Sequence, residues 1–82
     1  MEINQAAINT RFLWKKNKGE IPEASRTWDG IGLAHQRFVL DEVADERVTG
    51  EKAHRWLGWA QGYLVATGEL SLADCKYANV FA

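Results

Sequence analysis

Residues 55–68, "RWLGWAQGYLVATG", decide how this chain folds. Leu57, Ala60 and Leu64 recur at three- and four-residue steps. With Ala53 and Trp56 before them and Thr67 behind, they make one apolar helical face. The segment reads as a helix from about Thr49 to Thr67, with Thr49 as its cap and Glu51 in its first turn. Gly68 stands where a left-handed residue closes a helix. Gly58, Gly62 and Ala66 form a second stripe at four-residue spacing. Glycine inside a helix costs about 1 kcal/mol relative to alanine. The stripe therefore implies a close neighbour, which is either the chain's own preceding helix or another protomer.

The boundary that follows is the sharpest in the chain. In "LSLADC", residues 70–75, Ser71 and Asp74 have the spacing of a capping box, and Leu70 and Cys75 stand where a hydrophobic staple packs. A short helix over about 72–79 is predicted, turning back on its predecessor. Val80 and Phe81 beyond it are expected to dock on the rest of the molecule. Upstream, Trp28, Ile31, Ala34 or His35, Phe38, Val39 and Val43 form a stripe that predicts a helix over about 24–46, weakened near Gly30 and Gly32. Trp28 and Trp56 are assigned to the core. Residues 3–16 read as a further helix, with a short hairpin around Lys18-Gly19, over residues 10–21, as the alternative. Gly19 to Pro22 break the chain. The fold class is all-α: a single domain, 1–82, of three or four short helices, the last two joined by a tight glycine turn.

Bulk properties narrow the function classes. Eighty-two residues, 46% hydrophobic and 26% charged, suit one small globular core. No apolar run approaches the roughly 18 residues of a membrane span, and "MEINQAAINT" lacks the pattern of a secretory signal. Cys75 is the only cysteine, which fits a reducing cytoplasm. Charge is uneven. Residues 1–18 hold four basic side chains against Glu2, net +3, while residues 19–82 hold six basic and ten acidic, net −4. Asp41, Glu42, Asp45 and Glu46 form an acidic cluster that reads as a solvated helix end. Self-association through the opposed charges is the sharper alternative.

Chemistry finds little to work with. His35, His54 and Cys75 are the only residues able to form a Cys–His pair, and no local signature surrounds them. Cys75 at a staple position reads as a small hydrophobe. No CxxC, HxxxH or HExxH spacing predicts a metal, and no GxxxxGK[ST] loop predicts a phosphate cradle. The expectation is a non-enzymatic protein without metal or cofactor. DNA reading by the last helix is disfavoured, because Asp74 at its start opposes phosphate.

What remains is aromatic. Four tryptophans in 82 residues is a high share, and Trp is enriched among interface hot spots. Trp59 lies off the apolar face near Tyr63 and Arg55, with Gln61 and His54 beside the glycine stripe. Arg55, Trp59, Gln61 and Tyr63 are the predicted partner-binding residues. For Gln61 and His54 an interhelical or solvated hydrogen bond is the simpler reading. The runner-up is single-strand nucleic-acid contact through Arg11, Trp14, Lys15, Lys16 and Lys18, where Phe12 and Trp14 interleave with basic residues.

Arg55, Leu57, Gly58, Gln61, Gly62 and Leu64, followed by Gly68 and "LSLADC", resemble small uncharacterised helical proteins encoded by bacteriophages and prophages. Their shared pattern is R-x-L-G-x-x-Q-G-x-L, a glycine turn and an acidic-capped helix. The resemblance covers roughly the last 30 residues. It implies a phage-type accessory protein in the bacterial cytoplasm that regulates or inhibits a host or defence protein; a homodimer is the expectation of the opposed charges and the glycine stripe, not of the resemblance.

Overall fold

In the computed structural model, which describes residues 1–82, four helices make up the chain: α1 (Ile3–Lys18), α2 (Leu33–Ala44), α3 (Gly50–Ala66) and α4 (Leu72–Val80). There are no strands, so the all-α reading holds, the hairpin alternative around Lys18-Gly19 falls away, and α1 runs two residues beyond the expected 3–16. The buried stripe of α1 is Ala6, Ala7, Thr10 and Trp14. Lys15, Lys16 and Lys18 occupy its last turn, where cations favour the helix dipole. Gly19 then adopts φ +79° and returns its N–H to the Lys15 carbonyl at 2.7 Å.

Helix α2 is shorter than the sequence pattern implies. It begins only at Leu33, because Gly30 and Gly32 take φ +73° and +98°, values that a right-handed helix does not contain. Residues 20–32 are an irregular segment instead. Trp28 and Ile31 therefore leave the apolar stripe and are exposed, which corrects their core assignment. His35, Gln36, Val39, Leu40, Val43 and Ala44 supply the buried face. Trp56 is partly buried and packs against the core, as expected.

Gly68 closes α3 with φ +80°, and the N–H groups of Glu69 and Leu70 both reach the Leu64 carbonyl, at 2.8 and 3.1 Å. The capping box is formed in full. Asp74 N–H donates to Ser71 Oγ, and Ser71 N–H donates to Asp74 Oδ2, both at 3.0 Å. Leu70 and Cys75 are buried. Thr49 is at the cap position of α3, but its side chain makes no capping hydrogen bond.

Three hydrogen bonds tie α4 and the turn before it to α1. Asn9 Nδ2 donates to the Ala78 carbonyl at 3.1 Å, Asn17 Nδ2 donates to Asp74 Oδ2 at 2.9 Å, and Trp14 Nε1 donates to Glu69 Oε1 at 2.9 Å. Early α1 meets late α4 and the reverse, so the two run antiparallel. Alanines at the contacts (Ala6, Ala7, Ala53, Ala60 and Ala78, all fully buried) let the helices approach closely. Trp14 is the largest fully buried side chain. Val80 and Phe81 do not dock: they are 75% and 66% exposed, and Phe81 stacks only on Tyr77 at 4.6 Å.

Candidate protein-interaction surface

The segment "SRTWDGIG", residues 25–32, is a turn built to hold one shape. Gly30 N–H donates to the Thr27 carbonyl at 3.3 Å, and Ile31 N–H donates to Asp29 Oδ1 at 3.2 Å. Thr27 Oγ1 donates to the Ile31 carbonyl at 3.0 Å. Short polar side chains and a left-handed glycine are what such a turn requires. The rest of the molecule then clamps it. Thr27 N–H donates to His35 Nδ1 at 2.9 Å, and Gly32 N–H donates to the Tyr63 hydroxyl at 3.0 Å. The Gly30 carbonyl accepts from Trp59 Nε1 at 3.0 Å and from Gln36 Nε2 at 3.2 Å.

This clamped turn carries Trp28, whose side chain is 98% exposed. Ile31 and Trp59 are half exposed beside it. Trp59 meets Tyr63 edge-on, centroids 5.8 Å apart and planes at 65°. Three large apolar side chains are thus displayed on the turn and on the helix that clamps it.

Two of the sequence-predicted contact residues thus act as anchors as well. Tyr63 is partly buried and holds Gly32, while Trp59 shares its ring between solvent and the Gly30 bond. Arg55 is exposed on the same helix. Gln61 is elsewhere: it is buried, donating to Thr10 Oγ1 at 3.0 Å and exchanging hydrogen bonds with Asn79 at 2.9 and 3.3 Å. The interhelical reading of Gln61 is the one the structure bears out. His54 is exposed.

The glycine stripe does not mediate a close approach within the chain. A Cβ at Gly58 or Gly62 would meet nothing within 4 Å. Both residues instead line a shallow groove of about 370 Å³ toward α4, bounded by Val65, Ala66, Leu72 and Cys75.

The N-terminal candidate set is split between core and surface. Trp14 is fully buried and unavailable to a ligand. Arg11 Nη1 pairs with Asp41 Oδ1 at 2.6 Å, and Lys18 Nζ lies 3.8 Å from Glu69 Oε2. Lys15 and Lys16 are exposed. The acidic cluster is less solvated than expected, since Arg37 also pairs with Asp41 and Arg47 pairs with Glu42 and Asp45.

Of the residues with chemical potential, His35 lies beneath the turn, and burial lowers its pKa below 6.5. Burial pushes the Cys75 thiol up, assisted by Asp74, which is opposite to what an activated nucleophile needs. No three His, Cys, Asp or Glu side chains cluster as metal ligands. No helix is long and apolar enough to cross a membrane.

Sequence reasoning missed Trp28 by placing it on a helix. The signal was in the next two residues: Asp-Gly after Trp marks a turn, and it outranks a three–four apolar spacing that glycines interrupt. Comparison with protein-family models, curated proteins and solved structures finds no match to this chain.

Proposed function

We propose that this protein is a non-enzymatic protein-binding module whose contact surface is the clamped turn bearing Trp28, with Ile31, Trp59 and Arg55 around it. The observation that carries this reading is the combination of near-complete exposure of Trp28 and a turn held by backbone and side-chain hydrogen bonds. A tryptophan in solvent contributes nothing to the core, and leaving it there forgoes about 1.5–3 kcal/mol of burial. Burial in a partner's apolar pocket recovers that energy. Fixing the turn in advance reduces the ordering cost of binding. The partner is a protein with an apolar cleft wide enough for an indole. The phage-type role, regulating or inhibiting a host or defence protein, rests on the resemblance of residues 55–75.

The test is capture from bacterial host lysate treated with nuclease, followed by affinity measurement on the purified prey. Wild type is compared with Trp28→Ala, and sedimentation of the protein alone registers self-association. A prey whose affinity falls by about 2 kcal/mol or more in the variant, the hot-spot range, supports the reading. Equal affinity of variant and wild type for every prey overturns it.

A further inference from the structure

On α1, the i, i+4 pairs Ile8–Phe12 and Arg11–Lys15 lie on a face beside the buried Ala6, Ala7, Thr10 and Trp14 stripe. They form one wall of an open surface cavity of about 710 Å³. Ile21 and Arg37 complete the other side, and Glu20 is the one acidic residue in its lining. A second depression of about 430 Å³ shares Phe12 and Lys15 with it and adds Lys16 and Gly19. Phe12, 66% exposed, thus borders both.

The two arginines here are held in place. Asp41 accepts from Arg11 Nη1 at 2.6 Å and from Arg37 Nε at 3.0 and 3.2 Å, so one carboxylate fixes two guanidinium groups. Arg37 Nη1 is held further by the Pro22 carbonyl at 3.2 Å. Each guanidinium carries five N–H donors, so donors remain on both. Arg11, Arg37, Lys15 and Lys16 outnumber Asp41 and Glu20, which leaves the site net positive. Positioned guanidinium groups suit phosphate, and an exposed aromatic ring among cations suits a stacked base.

We propose that this cavity is a binding site for a nucleoside phosphate, taken either as a free nucleotide or as a unit of a single strand. Phe12 stacks the base, while Lys15, Lys16 and the two arginines face phosphate. The site is built from α1, residues 20 and 21 and Arg37 of α2, and shares no residue with the Trp28 surface.

Titration of ¹⁵N-labelled protein with AMP, a short oligothymidylate and inorganic phosphate tests it. Nucleotide is expected to shift the amides of Arg11, Phe12, Lys15 and Arg37, with affinity falling as salt rises. Phe12→Ala weakens nucleotide about tenfold and leaves inorganic phosphate unchanged, because only stacking is lost. Lys15→Glu weakens both ligands, and Trp28→Ala weakens neither. Phe12 and Lys15 are exposed, so both variants retain the fold. An oligothymidylate that binds much more tightly than AMP identifies strand as the source, and equal affinity identifies free nucleotide. Unmoved cavity amides at about 5 mM nucleotide overturn the site. So does hexaglutamate binding that matches nucleotide and ignores Phe12→Ala.

Discussion

Trp59 donates its indole N–H to the Gly30 carbonyl at 3.0 Å, and this bond ties the Trp28 turn to α3. Tyr63, one helical turn further on, holds the same segment through the Gly32 N–H. An aromatic pair on one helix therefore sets the orientation of a tryptophan 31 positions earlier than Trp59 in the chain.

Removing either anchor loosens the turn without deleting a core side chain. Tyr63→Phe leaves the Gly32 N–H without its acceptor and is expected to cost about 0.5–1.5 kcal/mol in denaturant unfolding. Amide exchange at Gly32 should rise in the same variant. Trp28→Ala should change stability by no more than about 0.5 kcal/mol, since the side chain touches so little. A large loss of stability in Trp28→Ala would show that the indole is buried in solution.

Trp14 is the opposite case. It is fully buried, and its Nε1 donates to Glu69, so Trp14→Ala is expected to cost about 3–5 kcal/mol, enough to threaten folding of an 82-residue chain. Trp14→Phe keeps most of the apolar contact and should cost less. Thermal or urea unfolding of the two variants gives the order.

The glycines separate by conformation. Gly58 and Gly62 have ordinary helical backbone and open space at the Cβ position, so Gly58→Ala and Gly62→Ala should each stabilise the isolated protein by up to about 1 kcal/mol. Gly68, at φ +80°, should lose stability on change to alanine. Destabilisation by Gly58→Ala in dilute solution would contradict the open groove.

His35 makes the turn sensitive to pH. Its pKa is lowered by burial, with Arg26 adding to the effect and Asp29 opposing it. In the window between the lowered folded value and 6.5 the unfolded chain binds more protons than the folded one, so stability falls as pH falls. Its contribution is complete above 6.5 and is lost through the lowered value. Protonated Nδ1 also cannot accept from Thr27 N–H. The protection factor of the Thr27 amide, its exchange corrected for the intrinsic pH dependence, should therefore fall as pH drops below 6.5. Replacement by a residue that cannot titrate, as in His35→Gln, should flatten that dependence.

Legibility varied with how local the controlling interaction is. The α3 face, the Gly68 turn and the Ser71–Asp74 box were readable because each is complete within a few residues. The start of α2 was misread because an apolar spacing across Gly30 and Gly32 mimics a helix that their positive φ values forbid. Trp14 reads as part of a basic binding stretch because it interleaves with Arg11, Lys15 and Lys16 in sequence, although on a helix adjacent residues point about 100° apart. The glycine stripe implied a close neighbour that alanines supply elsewhere in the chain.

The sequence by itself determined that this is an all-α chain, where α3 ends and how α4 begins, because helix periodicity and capping are short-range physics. Only the tertiary structure decided which aromatic faces solvent and which basic residues share a cavity. Trp14 and Trp28 are the same residue type in comparably mixed surroundings. One is covered because Glu69 and the facing helices converge on it. The other is displayed because Tyr63, Trp59, Gln36 and His35, all distant in sequence or across the turn, hold its backbone outward. Burial is a property of where several segments meet, and no single segment specifies that meeting point.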